Sequence, residues 1–388
     1  MEGKVETVKV KNKTKKSGIL KSKMYTMIIA LVAIWIIFTV TTGGNFLSTR
    51  NLSNLLRQMS TTGILAIGMV FVIILGEIDL SVGSMLGLLG GIAAILNVWF
   101  NMGAVPTIII TLILGLVLGF WNGFWVAYKK VPSFIVTLAG MLVFRGILIG
   151  ISKGNTIAPL SESMKVVGQS YFPNVVGYVI AVVTILISVY LINNSRRKKL
   201  KYGLEVAPMR NDIIKVVLIG VGVTAVVAIL NDYSGFPLPV FIMGIFAIVF
   251  SYMASSTVFG RRIYAIGGNK EAAKLSGINV NKQMLMIYAF NGLLAAIAGI
   301  LLTSRLNAGS VSGGTNAELD AIASCVIGGA SLAGGTGSVA GALVGALVMA
   351  TIDNGMSMLN TQPFWQYIVK GLILLLAVWV DIRSKNKK

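Results

Sequence analysis

The chain has 388 residues, of which 55% are hydrophobic and only 12% charged, with a formal net charge of +20. A soluble chain of this size needs far more charge to cover its surface, so a mean hydropathy of +0.84 defines a polytopic membrane protein instead. Histidine is absent and cysteine occurs once, at Cys325. This excludes His-based acid–base catalysis, His ligation and multi-cysteine metal sites, so no catalytic residue, metal or cofactor is expected.

The basic residues lie in tails and loops beside apolar runs. Positive-inside topology and anionic membrane lipid account for them, and no nucleic-acid partner is expected. Residues 1–24 are a lysine-rich tail, expected to be disordered and cytoplasmic. The run Tyr25 to Thr42 is longer than a signal-peptide core and has no convincing cleavage site after it, which predicts a retained first helix.

Twelve apolar segments follow, at about 25–42, 60–76, 80–100, 105–127, 134–151, 174–192, 213–230, 238–256, 284–303, 319–333, 338–357 and 364–381. Most have the length a helix needs to cross hydrocarbon, roughly 17–25 residues. The fold class is therefore all-α, a membrane domain over 25–382 with about 10–12 transmembrane or re-entrant helices. With the N-terminus inside, the loops near 128–133, 193–212 and 257–283 fall on the cytoplasmic side. These hold Lys129 and Lys130, then Arg196 to Lys201, then Arg261, Arg262, Lys270, Lys274 and Lys282. The basic tail 383–388 joins them, so both termini are expected to be cytoplasmic. Segment 319–333 is short and interrupted by glycine, the pattern of a re-entrant element.

Several polar positions interrupt the apolar runs. In Gly76 to Ser84 (GEIDLSVGS), Asp79 is expected to N-cap the following helix, or to mark a broken helix on a substrate path. In Gly119-Phe120-Trp121-Asn122-Gly123, the buried amide of Asn122 needs a hydrogen-bond partner. The reading there is helix packing, or an aromatic-plus-amide surface for sugar. Arg145 lies eleven residues beyond Phe134, about 16 Å into the fifth segment. At that depth it must face the bundle interior or a partner, with Glu77, Asp79 and Asp320 as candidate partners. Residues 152–172 are largely polar and expected outside. Glu318 and Asp320 stand at the expected start of a short helix, and the pairs Gly328-Gly329 and Gly334-Gly335 are expected to break it. Lys370 is expected near the outer end of the last span, where it can snorkel.

The longest clearly polar stretch in the second half is 259–282, FGRRIYAIGGNKEAAKLSGINVNK. Gly267-Gly268-Asn269 allows a reversal, after which Asn269 caps a short helix with Glu271 in its first turn and Gly277 at its end. Glu271-Ala272-Ala273 with Gly277 resembles the EAA-x-x-x-G loop of bacterial ABC importer permeases. The string YAIGGNKEAAKLSGINV resembles the monosaccharide branch of that family, and three further stretches agree in order. These are GEIDLSVGS, the P-x-FI-x-TL-x-x-M pattern from Pro132 through Met141, and ELDAIASCVIGGASLAGGTG. The extra helix pair at about 174–230 is similar to xylose-type members.

The resemblance implies a non-catalytic permease subunit in a bacterial plasma membrane. Its ATPase-coupling residues would be Gly268, Asn269, Glu271, Ala272, Ala273 and Gly277, and its candidate pathway residues Asp79, Asn122, Thr137, Arg145 and Asp320. The implied partners are an ABC ATPase subunit, an extracytoplasmic sugar-binding protein and a second permease chain in a homodimer. Xylose is the expected sugar, with ribose or another small sugar as the alternative. An ion-gradient-driven secondary transporter accounts for the broken helices and for Arg145 but not for the EAA-type helix.

Overall fold

The computed structural model describes residues 15–386 apart from 205 and 207. The expected tail over 1–14 and the last two residues, 387 and 388, lie outside the described residues. In chain order the helices are α1 (Lys15–Thr41), α2 (Thr49–Ile74), α3 (Val82–Val98), α4 (Ala104–Ala127), α5 (Ser133–Ser152), α6 (Glu162–Gln169), α7 (Asn174–Lys201), α8 (Met209–Tyr233), α9 (Leu238–Ser256), α10 (Val258–Gly268), α11 (Lys270–Leu275), α12 (Val280–Leu306), α13 (Ala317–Ile327), α14 (Val339–Met358) and α15 (Pro363–Asn386). Two short strands, β1 (Tyr171–Phe172) and β2 (Phe236–Pro237), pair antiparallel beside the ends of the α7–α8 hairpin.

Among the described residues, nine helices are long and apolar enough to cross a membrane, and Met27–Thr41 and Val82–Val98 are shorter apolar helices. With α13, each of the twelve apolar segments has a helical counterpart, so this is an all-α, multi-pass membrane protein. Three boundaries differ from expectation. Helix α1 begins at Lys15, inside the stretch expected to be a disordered tail. Helix α2 begins at Thr49, eleven residues before the apolar run, because Asn51 and Ser53 in its first turns are buried against other helices. Asn51 exchanges amide hydrogen bonds with Asn354 of α14 at 2.9 and 3.0 Å. The polar region 152–172 is not wholly irregular: it holds α6 and β1.

Helix α12 lies at the centre, packed against α2, α3 and α4. Glycine permits the closest of these approaches. A Cβ on Gly119 would sit 2.3 Å from the Tyr288 carbonyl, and one on Gly292 would sit 2.2 Å from the Gly115 carbonyl. Backbones meet there with no side chain between them, as small residues allow in membrane bundles. Helices α4, α5, α7, α8, α9 and α15 surround this core with outward faces rich in exposed Val, Leu, Ile, Phe and Trp.

Candidate functional site

Two features organise the interior, a break after α2 and a half-helix after α12. Between α2 and α3 the chain leaves helical geometry at residues 75–81, with Gly76 at φ +81°. The expectation that Asp79 caps α3 needs correction. Ser81 occupies the capping position, and Asp79 instead folds the turn onto itself. Its Oδ1 accepts the Ser81 amide at 2.9 Å and the Ser81 hydroxyl at 2.6 Å, a local carboxylate turn. Its Oδ2 accepts the amide of Asn291, on α12, at 2.8 Å. The Ser81 hydroxyl in turn accepts the amide of Asn122, on α4, at 2.8 Å. Thr137 of α5 stands beside the same turn, its hydroxyl donating to its own helix at Ser133 at 2.8 Å and lying 3.4 Å from the Ile78 carbonyl.

Asp79, Asn122 and Thr137 are thus drawn together, and the side chains that join them are Ser81 and Asn291. These two had no sequence signal beyond the D-x-S spacing and an isolated amide in an apolar run. Trp121 and Asn122 do not share a sugar-facing surface. Asn122 is 1% exposed and Trp121 56% exposed, since adjacent helical residues point about 100° apart. Trp121 and Trp125 instead line a groove of about 550 Å³ between α4 and α5. Gly140 on that groove stands where a Cβ would lie 3.3 Å from the Asn122 amide oxygen.

The half-helix is α13. At 11 residues it covers about 16 Å, half a bilayer core. It begins beside the first turns of α3: a Cβ on Gly83 would lie 1.9 Å from the Glu318 carboxylate, and one on Gly87 2.4 Å from the Gly313 carbonyl. The helix ends at Ile327, where the glycine pairs were expected to break it, and Gly329, Gly334 and Gly335 all have positive φ. Segment 319–333 therefore does not span as a helix.

Arg145 does not hydrogen-bond to any of the three acids proposed for it. Its guanidinium donates to the carbonyls of Val311 at 2.5 Å and Gly313 at 3.0 Å, in the irregular stretch that leads into α13. Unpaired carbonyls there need a donor because non-helical backbone inside a membrane has no water to satisfy it. Asp320 lies apart from both groups. Lys370 turns inward from α15 instead of snorkelling, and its ammonium stands 2.9 Å from Asp320 and 2.9 Å from Asp353 of α14. Three helices are joined by one cation between two carboxylates, the pairing that makes buried charge tolerable.

The polar stretch 257–283 contains two helices where one was expected. Thr257 caps α10 by accepting the Gly260 amide at 3.2 Å, and Asn269 caps α11 by accepting the Ala272 amide at 2.9 Å. Gly277 follows α11 at φ +78°. Of the six residues singled out here, Ala273 is buried, while Gly268, Asn269, Glu271, Ala272 and Gly277 are exposed. Leu275, the last residue of α11, has an apolar side chain that is 88% exposed.

The pair α10–α11 rests on both breaks. A Cβ on Gly267 would lie 1.7 Å from the Ile74 carbonyl at the end of α2 and 2.6 Å from the Gly335 amide. The Gly335 amide donates to that Ile74 carbonyl at 2.8 Å. Tyr264 donates its hydroxyl to the Gly337 carbonyl at 2.8 Å, and burial raises its pKa above the ordinary phenol value. Lys270 pairs with Glu77 at 3.4 Å. Gly76, Gly267, Gly334 and Gly335 therefore meet in one junction. It ties an exposed helix pair to the turn before Asp79 and to the loop after α13.

A multi-pass helical core with a broken span, a half-helix and an externally mounted helix pair is the frame of a transport permease. The chain belongs to the branched-chain amino acid transport system / permease component family, whose model matches residues 51–378. It is 56% identical over 365 residues to the xylose transport system permease protein of Haemophilus influenzae, covering 94% of this chain and 97% of that protein. The corresponding xylose permease of Escherichia coli is 56% identical over 368 residues, covering 95% and 94%. The ribose import permease protein of Escherichia coli is 35% identical over 384 residues, covering 99% of each chain. No solved structure matches the chain.

Proposed function

We propose that this chain is the permease subunit of an ATP-binding-cassette importer that carries xylose across a bacterial plasma membrane, with both termini cytoplasmic. The observation that carries the coupling part of this reading is the mounting of α11. An exposed, capped helix with a bare leucine at its tip is seated on the junction that joins the α2–α3 break to the loop after α13. A separate ATPase subunit would grip Glu271, Ala272 and Leu275. Its closure would move α10–α11 as a unit, since backbone packs directly on backbone at Gly267 and Gly335, with no side chain between them to absorb the displacement. The motion would reach Asp79 through residues 75–78 and the half-helix through residues 328–338.

The sugar assignment rests on 56% identity with two xylose permeases against 35% with a ribose permease. An external sugar-binding protein would deliver substrate to the face that carries α6, β1 and β2. A second copy of the permease would close the groove between α4 and α5, so that the path runs between the two chains past α5 and the Asp79–Ser81–Asn122 cluster. ATP hydrolysis belongs to the partner, as the chain has no G-K-[ST] phosphate loop. The test is reconstitution of the chain with the ATPase and sugar-binding protein from the same organism in proteoliposomes. Radiolabelled xylose uptake that requires ATP and both partners is expected. Uptake driven by an ion gradient without ATP would overturn the reading in favour of a secondary transporter.

A further inference from the structure

The α7–α8 hairpin is attached to the body at one end only. Ala181, Val227 and Leu230 bury against Leu56, Phe172 and Phe236, all in the half of the hairpin next to β1 and β2. In the other half the outward residues are apolar and exposed, including Leu186, Ile187 and Tyr190 on α7 and Val217, Leu218 and Val221 on α8. In a membrane this half is wrapped by lipid on its free faces. At its tip the character changes abruptly. Residues 196–215 hold seven basic side chains against two acidic ones.

Between the helix ends at that tip lies a niche of about 240 Å³. Arg196, Lys199 and Lys215 line it with Ser195, and Leu191 and Ile192 form its apolar side. Asp212 holds two of the cations in place, accepting Arg196 at 2.9 Å and Lys215 at 2.9 Å. Lys199 adds a third cation that is in no ion pair among the described residues. The niche is therefore net positive, held by the Asp212 ion pairs, and bordered on its apolar side by Leu191 and Ile192 of α7.

We propose that this niche binds the headgroup of an anionic phospholipid, with the phosphodiester against Lys199 and the Arg196–Asp212–Lys215 bridge and the acyl chains along the exposed α7 and α8 faces. Charge complementarity selects the headgroup, and the continuity of the niche with the apolar faces selects a lipid over a soluble anion. The inference requires only that the chain is embedded in a bilayer. It stands whichever energy source drives transport.

The experiment is native mass spectrometry of the full chain in mild detergent, titrated with phosphatidylglycerol, phosphatidylcholine or inorganic phosphate. Two triple variants remove the same charge, R196Q/K199Q/K215Q inside the niche and R197Q/K198Q/K201Q outside it. Wild type and the outside variant should retain phosphatidylglycerol over phosphatidylcholine by at least tenfold, and the inside variant should lose that preference. Should the inside variant fail to fold, K199Q alone, which breaks no ion pair, should lower retention about fivefold. Equal loss in both triples, no change in K199Q, or displacement of the lipid by inorganic phosphate would each overturn the proposal. So would loss of a co-purifying acidic protein in place of lipid from the inside variant.

Discussion

Asp79→Ala tests whether the break between α2 and α3 is held by the hydrogen bonds described. Asp79 is 1% exposed and accepts from the Ser81 amide at 2.9 Å, the Ser81 hydroxyl at 2.6 Å and the Asn291 amide at 2.8 Å. Alanine leaves the Ser81 N–H and the Asn291 N–H buried without acceptors, while the hydroxyl can rotate to another partner. At about 1–3 kcal/mol for each orphaned buried donor, the loss is about 4 kcal/mol. Asp79→Asn keeps one acceptor for Ser81, and Asn291 can present its oxygen to the new amide after a flip, so that change should cost about 1 kcal/mol. Equilibrium denaturation in mild detergent measures both. The cycle of Asp79→Ala with Asn291→Ala should show about 1–3 kcal/mol of coupling, as both remove one bond. An Asp79→Ala protein within about 1 kcal/mol of wild type, or one no less stable than Asp79→Asn, would refute this account of the turn.

Three further outcomes follow from the same geometry. Lys370→Met leaves Asp320 and Asp353 without their shared cation and should destabilise the chain by about 3–5 kcal/mol. Adding Asp353→Asn should restore part of that in the same unfolding assay, and an unaffected single variant would contradict the pairing. Gly83→Ala places a methyl 1.9 Å from the Glu318 carboxylate, which can rotate away, and 2.6 Å from the Gly314 carbonyl, which cannot, so the backbone leading into α13 must shift. Xylose uptake should fall severalfold with membrane insertion unchanged, and wild-type uptake would show that the contact is not needed. Gly267→Val drives side-chain atoms toward the Ile74 carbonyl and the Gly335 amide. In the reconstituted complex it should separate ATP hydrolysis from uptake, and normal coupling would sink the role given to the junction.

The spans were legible because each is a long apolar run, and the Asn269 cap and the Gly277 stop were legible because both act within a few residues. What stayed hidden depends on partners far away in the chain. Polar residues concealed the first turns of α2, and Asn51 is satisfied by Asn354, 303 residues on. Asp79, Asn122 and Thr137 each stood out as polar breaks in apolar runs. That Ser81 and Asn291 join them follows from packing of α3, α4 and α12, as the Asp79–Asn291 bond spans 212 positions. Acids attracted attention as partners for Arg145, but the irregular backbone at Val311 and Gly313 had the greater need of a donor. Lys370 was placed by depth alone, and depth does not reveal two carboxylates on neighbouring helices.

The central claim is that α11 is the grip for an ATPase. Its most direct test is purification of the tagged chain from its native membranes, as wild type and as Glu271→Lys with Leu275→Asp. Both substituted side chains are exposed, so the fold should be unaffected. An ATP-hydrolysing subunit is expected to co-purify with the wild type and to fall at least tenfold in the variant, as truncating central contact residues costs about 1–2 kcal/mol each. An intact wild-type chain that brings down no ATPase, or a variant that retains it fully, would contradict the account.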